Sequence, residues 1–123
     1  MNNEEKRVVS LVQKALTPDL IRSEYRDRPE NPLYGHCCHA SVATFLLLGG
    51  KARGYSIWKA IDPQNVLHYW CTDAAGNIVD PTAAQYYDFG REPPYSSGRR
   101  TGYRMSNAIA TILERVRAAG GTS

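Results

Sequence analysis

The segment from Val66 to Thr72 narrows the possible folds of this chain more than any other, because it alternates and is followed at once by a turn and a partner. Leu67, Tyr69 and Cys71 fall on one side of an extended strand, with Val66, His68 and Trp70 on the other. Asp73-Ala74-Ala75-Gly76 supplies a type I turn with glycine at its end. Ile78-Val79-Asp80 then returns antiparallel, and Pro81, which has no N–H to give to a ladder, ends the pairing. In the registers such a hairpin allows, Asp80 comes opposite His68 or one step away on the same face. Tyr55 to Ala60 reads as a further strand before them.

Helical spacing frames this hairpin. Val8, Val9, Leu11, Val12, Ala15 and Leu16 recur at helical intervals and predict a helix from Asn3 to Leu16. Thr17-Pro18-Asp19 stops it and can start a short helix from Leu20 to Tyr25, proline being tolerated in a first turn. Arg26 to Pro32, polar and with two prolines, reads as loop. From Cys37 to Leu48 the residues are mostly small or apolar, and Gly49-Gly50 closes the segment like a helix C-cap, so a buried helix is expected with Cys37 in its first turn. Gly90 to Gly102 shows no periodicity and reads as a long loop. Ser106 can cap a last helix to Ala118 with Ala108, Ile109, Ile112, Leu113 and Val116 inward. The expected fold is α+β: one domain over 1–123, the Cys37 helix on a short antiparallel sheet, with N- and C-terminal helices.

A chain of 123 residues buries roughly two thirds of its unfolded surface and needs no disulfide or metal to hold a core. No apolar run approaches the ~20 residues of a membrane span, and Met1 to Lys6 is polar with no apolar signal core behind it. Three cysteines, two of them adjacent, fit a reducing cytoplasmic setting. Fifteen basic residues against 12 acidic ones leave a net charge of +3, too little to make nucleic acid the main partner. A protein or peptide substrate is expected instead.

Chemistry gathers around Cys37. A thiol attacks as thiolate, and a helix N-terminus with a nearby imidazolium lowers its pKa from about 8.5 toward roughly 3.5–7.5. His68 can take the thiol proton, and Asp80 can fix the imidazole tautomer. Gly35 would let backbone and substrate approach closely. An oxyanion needs a donor, and Asn31, His36 and the Cys37 N–H are the candidates. Trp70 shares the His68 face and can wall the site. Gln85, Tyr95 and Tyr103 are candidate substrate contacts. Cys38 and Cys71 read as packing residues.

His36-Cys37-Cys38-His39 is rich in metal ligands, but zinc sites space their ligands so that four can converge, and four consecutive residues at a helix start cannot. No metal or other cofactor is expected. Arg91 to Arg104 interleaves Arg99, Arg100 and Arg104 with Tyr95 and Tyr103. It reads as a lid over the site or as the gripping surface of a non-enzymatic protein-binding module.

The order of helix-borne Cys, strand-borne His and next-strand Asp resembles that of papain-like and transglutaminase-like thiol enzymes. In papain-like enzymes a Gln stands six residues before the nucleophile, where this chain has Asn31. Gly35-His36-Cys37, Ala40-Ser41, Leu48-Gly49-Gly50, His68-Tyr69-Trp70, Gly76 to Thr82 and Gln85 resemble the YunG-like family of small bacterial and phage proteins. Pro93-Pro94-Tyr95 and Gly102-Tyr103 are similar to steps in the phage members, which carry an aromatic residue where this chain has Cys38. The resemblance implies a compact thiol-enzyme fold with Cys37, His68 and Asp80 as its triad. Attack on an amide or thioester carbonyl would give a peptidase or deamidase with water as acceptor, or a transferase with an amine.

Overall fold

A computed structural model describes residues 1–21, 31, 33 and 35–120. Helix α1 spans Asn3–Ala15, and its start is set by a reciprocal cap. The Asn2 side chain accepts from the Glu5 N–H (2.8 Å), while the Glu5 carboxylate accepts from the Asn2 N–H (2.9 Å). The expected stripe Val8, Val9, Val12 and Ala15 is buried. Beyond it, a single 3₁₀ turn over Pro18–Leu20 replaces the expected second helix as far as Ile21. The rest of that helix, 22–25, and the loop expected over 26–32, Asn31 apart, lie outside the described residues.

Helix α2 (Cys37–Leu47) is apolar on nearly every side, and eight of its residues, from Cys37 to Phe45 without Cys38, are buried. An all-round apolar helix needs neighbours on several sides. It packs on the sheet and against both α1 and the last helix, α4 (Asn107–Ala118). Ser106 caps α4, its hydroxyl accepting from the Ile109 N–H at 3.2 Å.

The sheet contains β1 (Ser56–Ile61), β2 (Leu67–Thr72), β3 (Ile78–Val79) and β4 (Arg99–Thr101), antiparallel throughout and ordered β3-β2-β1-β4. The β2–β3 turn forms as expected: the Gly76 N–H donates to the Asp73 carbonyl at 3.0 Å, and Gly76 takes a φ of 86° that favours glycine. Cys71 pairs with Val79, so Asp80 comes level with Trp70, one same-face step from His68.

Ile57, Tyr69, Cys71 and Val79 face α1, α2 and α4 and form the core with them. His68 and Trp70 face the other way. They are covered by the short helix α3 (Ala84–Tyr87) and by a 3₁₀ turn over Tyr95–Ser97. The expected loop from Gly90 to Gly102 therefore contains both that turn and β4. The architecture is a small mixed α+β domain with four α-helices and a four-stranded antiparallel sheet among the described residues.

Candidate active site

His68 is fully buried, and its two ring nitrogens are both engaged. Nε2 lies 2.7 Å from Asp80 Oδ2, and Nδ1 lies 2.9 Å from the Gln85 side-chain nitrogen. The surrounding bonds fix where the protons are. Asp80 Oδ1 accepts from the Thr82 N–H (3.0 Å) and hydroxyl (3.3 Å), and Oδ2 accepts from the Tyr95 hydroxyl (2.7 Å). Thr82 has given its one hydroxyl proton to the carboxylate, so its oxygen accepts from the Gln85 amide at 3.2 Å. The second amide hydrogen then meets His68 Nδ1, which must be bare. His68 is thus the neutral Nε2–H tautomer, donating to Asp80.

Aromatic rings hold the imidazole in place. Tyr86 meets it edge-on with centroids 4.8 Å apart, and Trp70 stacks on it at 5.8 Å. Tyr95 meets Trp70 edge-on at 5.0 Å. Asp80, Tyr95 and Tyr87 reach a cavity of about 440 Å³ that also touches Met1, Ile78 and Ala83.

Cys37 lies at the N-terminus of α2, against the β2 backbone on both sides of His68. Its thiol donates to the Leu67 carbonyl (Sγ–O 3.5 Å). One turn on, the Ser41 hydroxyl donates to the Tyr69 carbonyl at 3.0 Å. Because β3 ends at Val79, these carbonyls have no strand beside them, and α2 side chains satisfy them instead.

Burial pushes the Cys37 thiol up to about 12, and the nearby Asp80 charge adds to this. Hydrogen bonds from the Tyr69 and Cys38 N–H groups oppose it. This reverses the lowered thiol expected of a helix terminus. Full burial outweighs the terminus because desolvation alone can move a group by about 3–5 pKa units, whereas a terminal dipole acts as about half a charge. No hydrogen bond joins Cys37 to His68 in this arrangement: the thiol bonds the Leu67 carbonyl and Gln85 holds His68 Nδ1.

The remaining expected residues divide. Gln85 and Tyr95 belong to the His68–Asp80 network itself and are not free contacts for a substrate. Trp70 is buried and stacks on His68. The Asn31 amide donates to the Gln85 backbone carbonyl at 3.2 Å, so it braces α3 and not an oxyanion. Gly35 takes a φ of 84°, and the His36 N–H after it donates back to Leu33 O at 3.2 Å: this glycine turns the chain into α2.

His36 Nδ1 and His39 Nε2 point at one another 2.7 Å apart, and burial lowers both rings to about 4. His36 is therefore committed to His39 and not to an oxyanion. Tyr103 lies elsewhere, its ring 6.0 Å from Phe45, on a separate cavity of about 530 Å³ with Tyr55 and Ile57. Cys71 donates to the Ser41 carbonyl at 3.0 Å and is buried, while Cys38 is exposed.

No family model, no curated protein and no solved structure matches this chain.

Proposed function

We propose that this protein is a cysteine-dependent hydrolase or acyl transferase acting on an amide or thioester carbonyl, on a small papain- or transglutaminase-like domain. Cys37 is the nucleophile, His68 its base and Asp80 the group that orients the base. The observation that carries the reading is the hydrogen-bond arrangement at His68: Asp80 accepts from Nε2–H and Nδ1 is left bare, with the thiol against the backbone on either side of the same residue. A bare, oriented Nδ1 is what a thiol base requires.

The resting state is latent, and two exchanges arm it. The thiol leaves the Leu67 carbonyl, and Nδ1 exchanges the Gln85 N–H for the thiol proton. The thiolate then attacks the carbonyl carbon, and its π electrons move to oxygen, where the first-turn N–H groups of α2 can hold the charge. Collapse of that intermediate expels an amine or thiol, which takes the proton back from Nδ1. Water or an amine resolves the thioester left on Cys37. The YunG-like motif set supports the same assignment, and three unbridged cysteines suit a cytoplasmic setting.

A second reading, a protein-binding module gripping through 91–104, draws on the exposure of Arg99, Arg100, Tyr103 and Arg104. Site-by-site alkylation by iodoacetamide against pH, followed by peptide mass spectrometry, separates the two. The enzyme reading expects Cys37 to slow markedly in His68→Ala while Cys38 does not. Equal Cys37 rates in both proteins would overturn it and leave the binding module in its place.

A further inference from the structure

Lys59 of β1 and Arg99 of β4 are directly opposed across the ladder. Opposed residues point to one face with Cβ atoms about 4.5–5.5 Å apart, and like charges so placed are destabilising. Neither side chain is paired with a carboxylate among the described residues, where the ion pairs join Arg53 to Glu4, His68 to Asp80, Arg91 to Asp62 and Arg115 to Asp19. Cations on an edge strand can deter strand-to-strand aggregation. That purpose does not account for Lys59, because β1 lies inside the sheet.

Both cations border a cavity of about 570 Å³ with Ala60, Ile61, Leu67 and Ser97, and among the described residues no acidic one lines it. The cavity adjoins the thiol through Leu67, whose carbonyl takes the Cys37 S–H. The Lys59 charge also acts on Cys38, the residue after Cys37 in α2. Ile61 and Leu67, 61% and 42% exposed, give the same cavity an apolar wall. Two cations without a carboxylate partner among the described residues and an apolar wall therefore border one cavity, and Leu67 links that cavity to the Cys37 thiol.

We infer that this cavity is the acyl-donor subsite and that it selects a carboxylate-bearing amide or thioester, the carboxylate lying between Lys59 and Arg99. The inference rests on the thiol reading above and adds the substrate class to it. A dehydrated carboxylate there relieves the repulsion between the two cations and places its acyl carbon on the Leu67 side, next to Cys37.

The test compares anionic iodoacetate with neutral iodoacetamide at Cys37, at low ionic strength, in the wild type and in Lys59→Gln/Arg99→Gln. The rate ratio of the two reagents cancels any change in the thiol itself. We expect the ratio to fall about tenfold in the double variant, a change of about 1.4 kcal/mol shared between the two charges. An unchanged ratio with His68 dependence intact overturns the subsite and leaves the thiol reading standing.

If Cys37 shows no His68 dependence, the thiol reading fails and glutarate titration decides the subsite. Amide shifts at Lys59, Ser97 and Arg99 with glutarate but not with neutral glutaramide, lost in the double variant, support an anion site. No such shifts, or shifts that survive the double substitution, overturn it.

Discussion

Asp80 Oδ2 lies 2.7 Å from His68 Nε2 with the two side chains 2% and 0% exposed, so this contact is made away from water. The carboxylate carries three further donors, from Thr82 and Tyr95. It is therefore held before the imidazole is, and the imidazole takes its tautomer from it.

Replacing Asp80 with Asn reverses that assignment, because an amide presented to Nε2 can donate as well as accept. We expect Asp80→Asn to lower the His68-dependent alkylation of Cys37 by roughly 10²-fold or more, in line with wrong-tautomer substitutions in Ser-His-Asp triads. Nitrogen-15 shifts of His68 read the cause: Nδ1 bare and Nε2 protonated in the wild type, and a changed pattern in the variant. A wild-type spectrum with Nδ1 protonated would sink the proton assignment.

Gln85→Leu frees His68 Nδ1, the nitrogen that the proposed mechanism assigns to the thiol proton. Cys37 should then alkylate faster than in the wild type, while the fold loses about 1–3 kcal/mol for the donors and acceptors left without partners. The gain should vanish in the Gln85→Leu/His68→Ala double variant. A slower Cys37 in the single variant, with the fold intact by circular dichroism, would show that Gln85 serves the thiol and does not restrain it.

Tyr95→Phe removes one of four donors to Asp80 but keeps the ring against Trp70. The expected cost is about 1 kcal/mol in urea unfolding, with the slope against urea unchanged. A loss several times larger would mean that the hydroxyl holds the whole 91–98 segment down.

His36 and His39 make stability depend on acid. Both rings are lowered to about 4 from 6.5, so the fold favours their neutral forms. Their contribution is complete above pH 6.5 and is lost as pH falls through about 4, because the unfolded chain binds protons first. Unfolding free energy should therefore drop across this window, by on the order of 2 kcal/mol, and drop less in His36→Gln/His39→Gln. An equal acid slope in the variant would remove the pair from the account.

Gly98 tests how closely the 3₁₀ turn over Tyr95–Ser97 sits on the site. A Cβ there would lie 2.5 Å from the Trp70 ring, which is buried and cannot swing away. Gly98→Ala should cost about 1–3 kcal/mol as overpacking and should weaken the Tyr95–Asp80 bond, seen as a change in Tyr95 near-ultraviolet circular dichroism.

The His68–Asp80 relationship was legible because a two-residue side-chain period and a recognisable turn leave few registers. The stripes of α1 and α4 were legible from the helical period instead, each having one apolar face. β4 was not: Arg99-Arg100-Thr101 carries no apolar alternation, and its strand character comes from pairing with β1. Helix α3 is four residues long, too short for a period to show. The state of Cys37 was hidden as well. A sequence marks a helix start but not how deeply that start is covered, and the cover decides the charge. Asn31 lies six residues before Cys37 in sequence yet bonds Gln85, 54 residues away.

The shortness of β3 makes Cys37 a rung of the sheet. Where a third strand would have offered N–H groups to β2, a thiol and a serine hydroxyl stand in for them. A sulfur that takes on an acyl or alkyl group has no hydrogen left to offer Leu67, so bond formation at Cys37 also unfastens one stitch of the strand that carries His68. Covalent chemistry and loosening of the sheet edge would then be a single event, and the backbone itself would register whether the thiol is loaded.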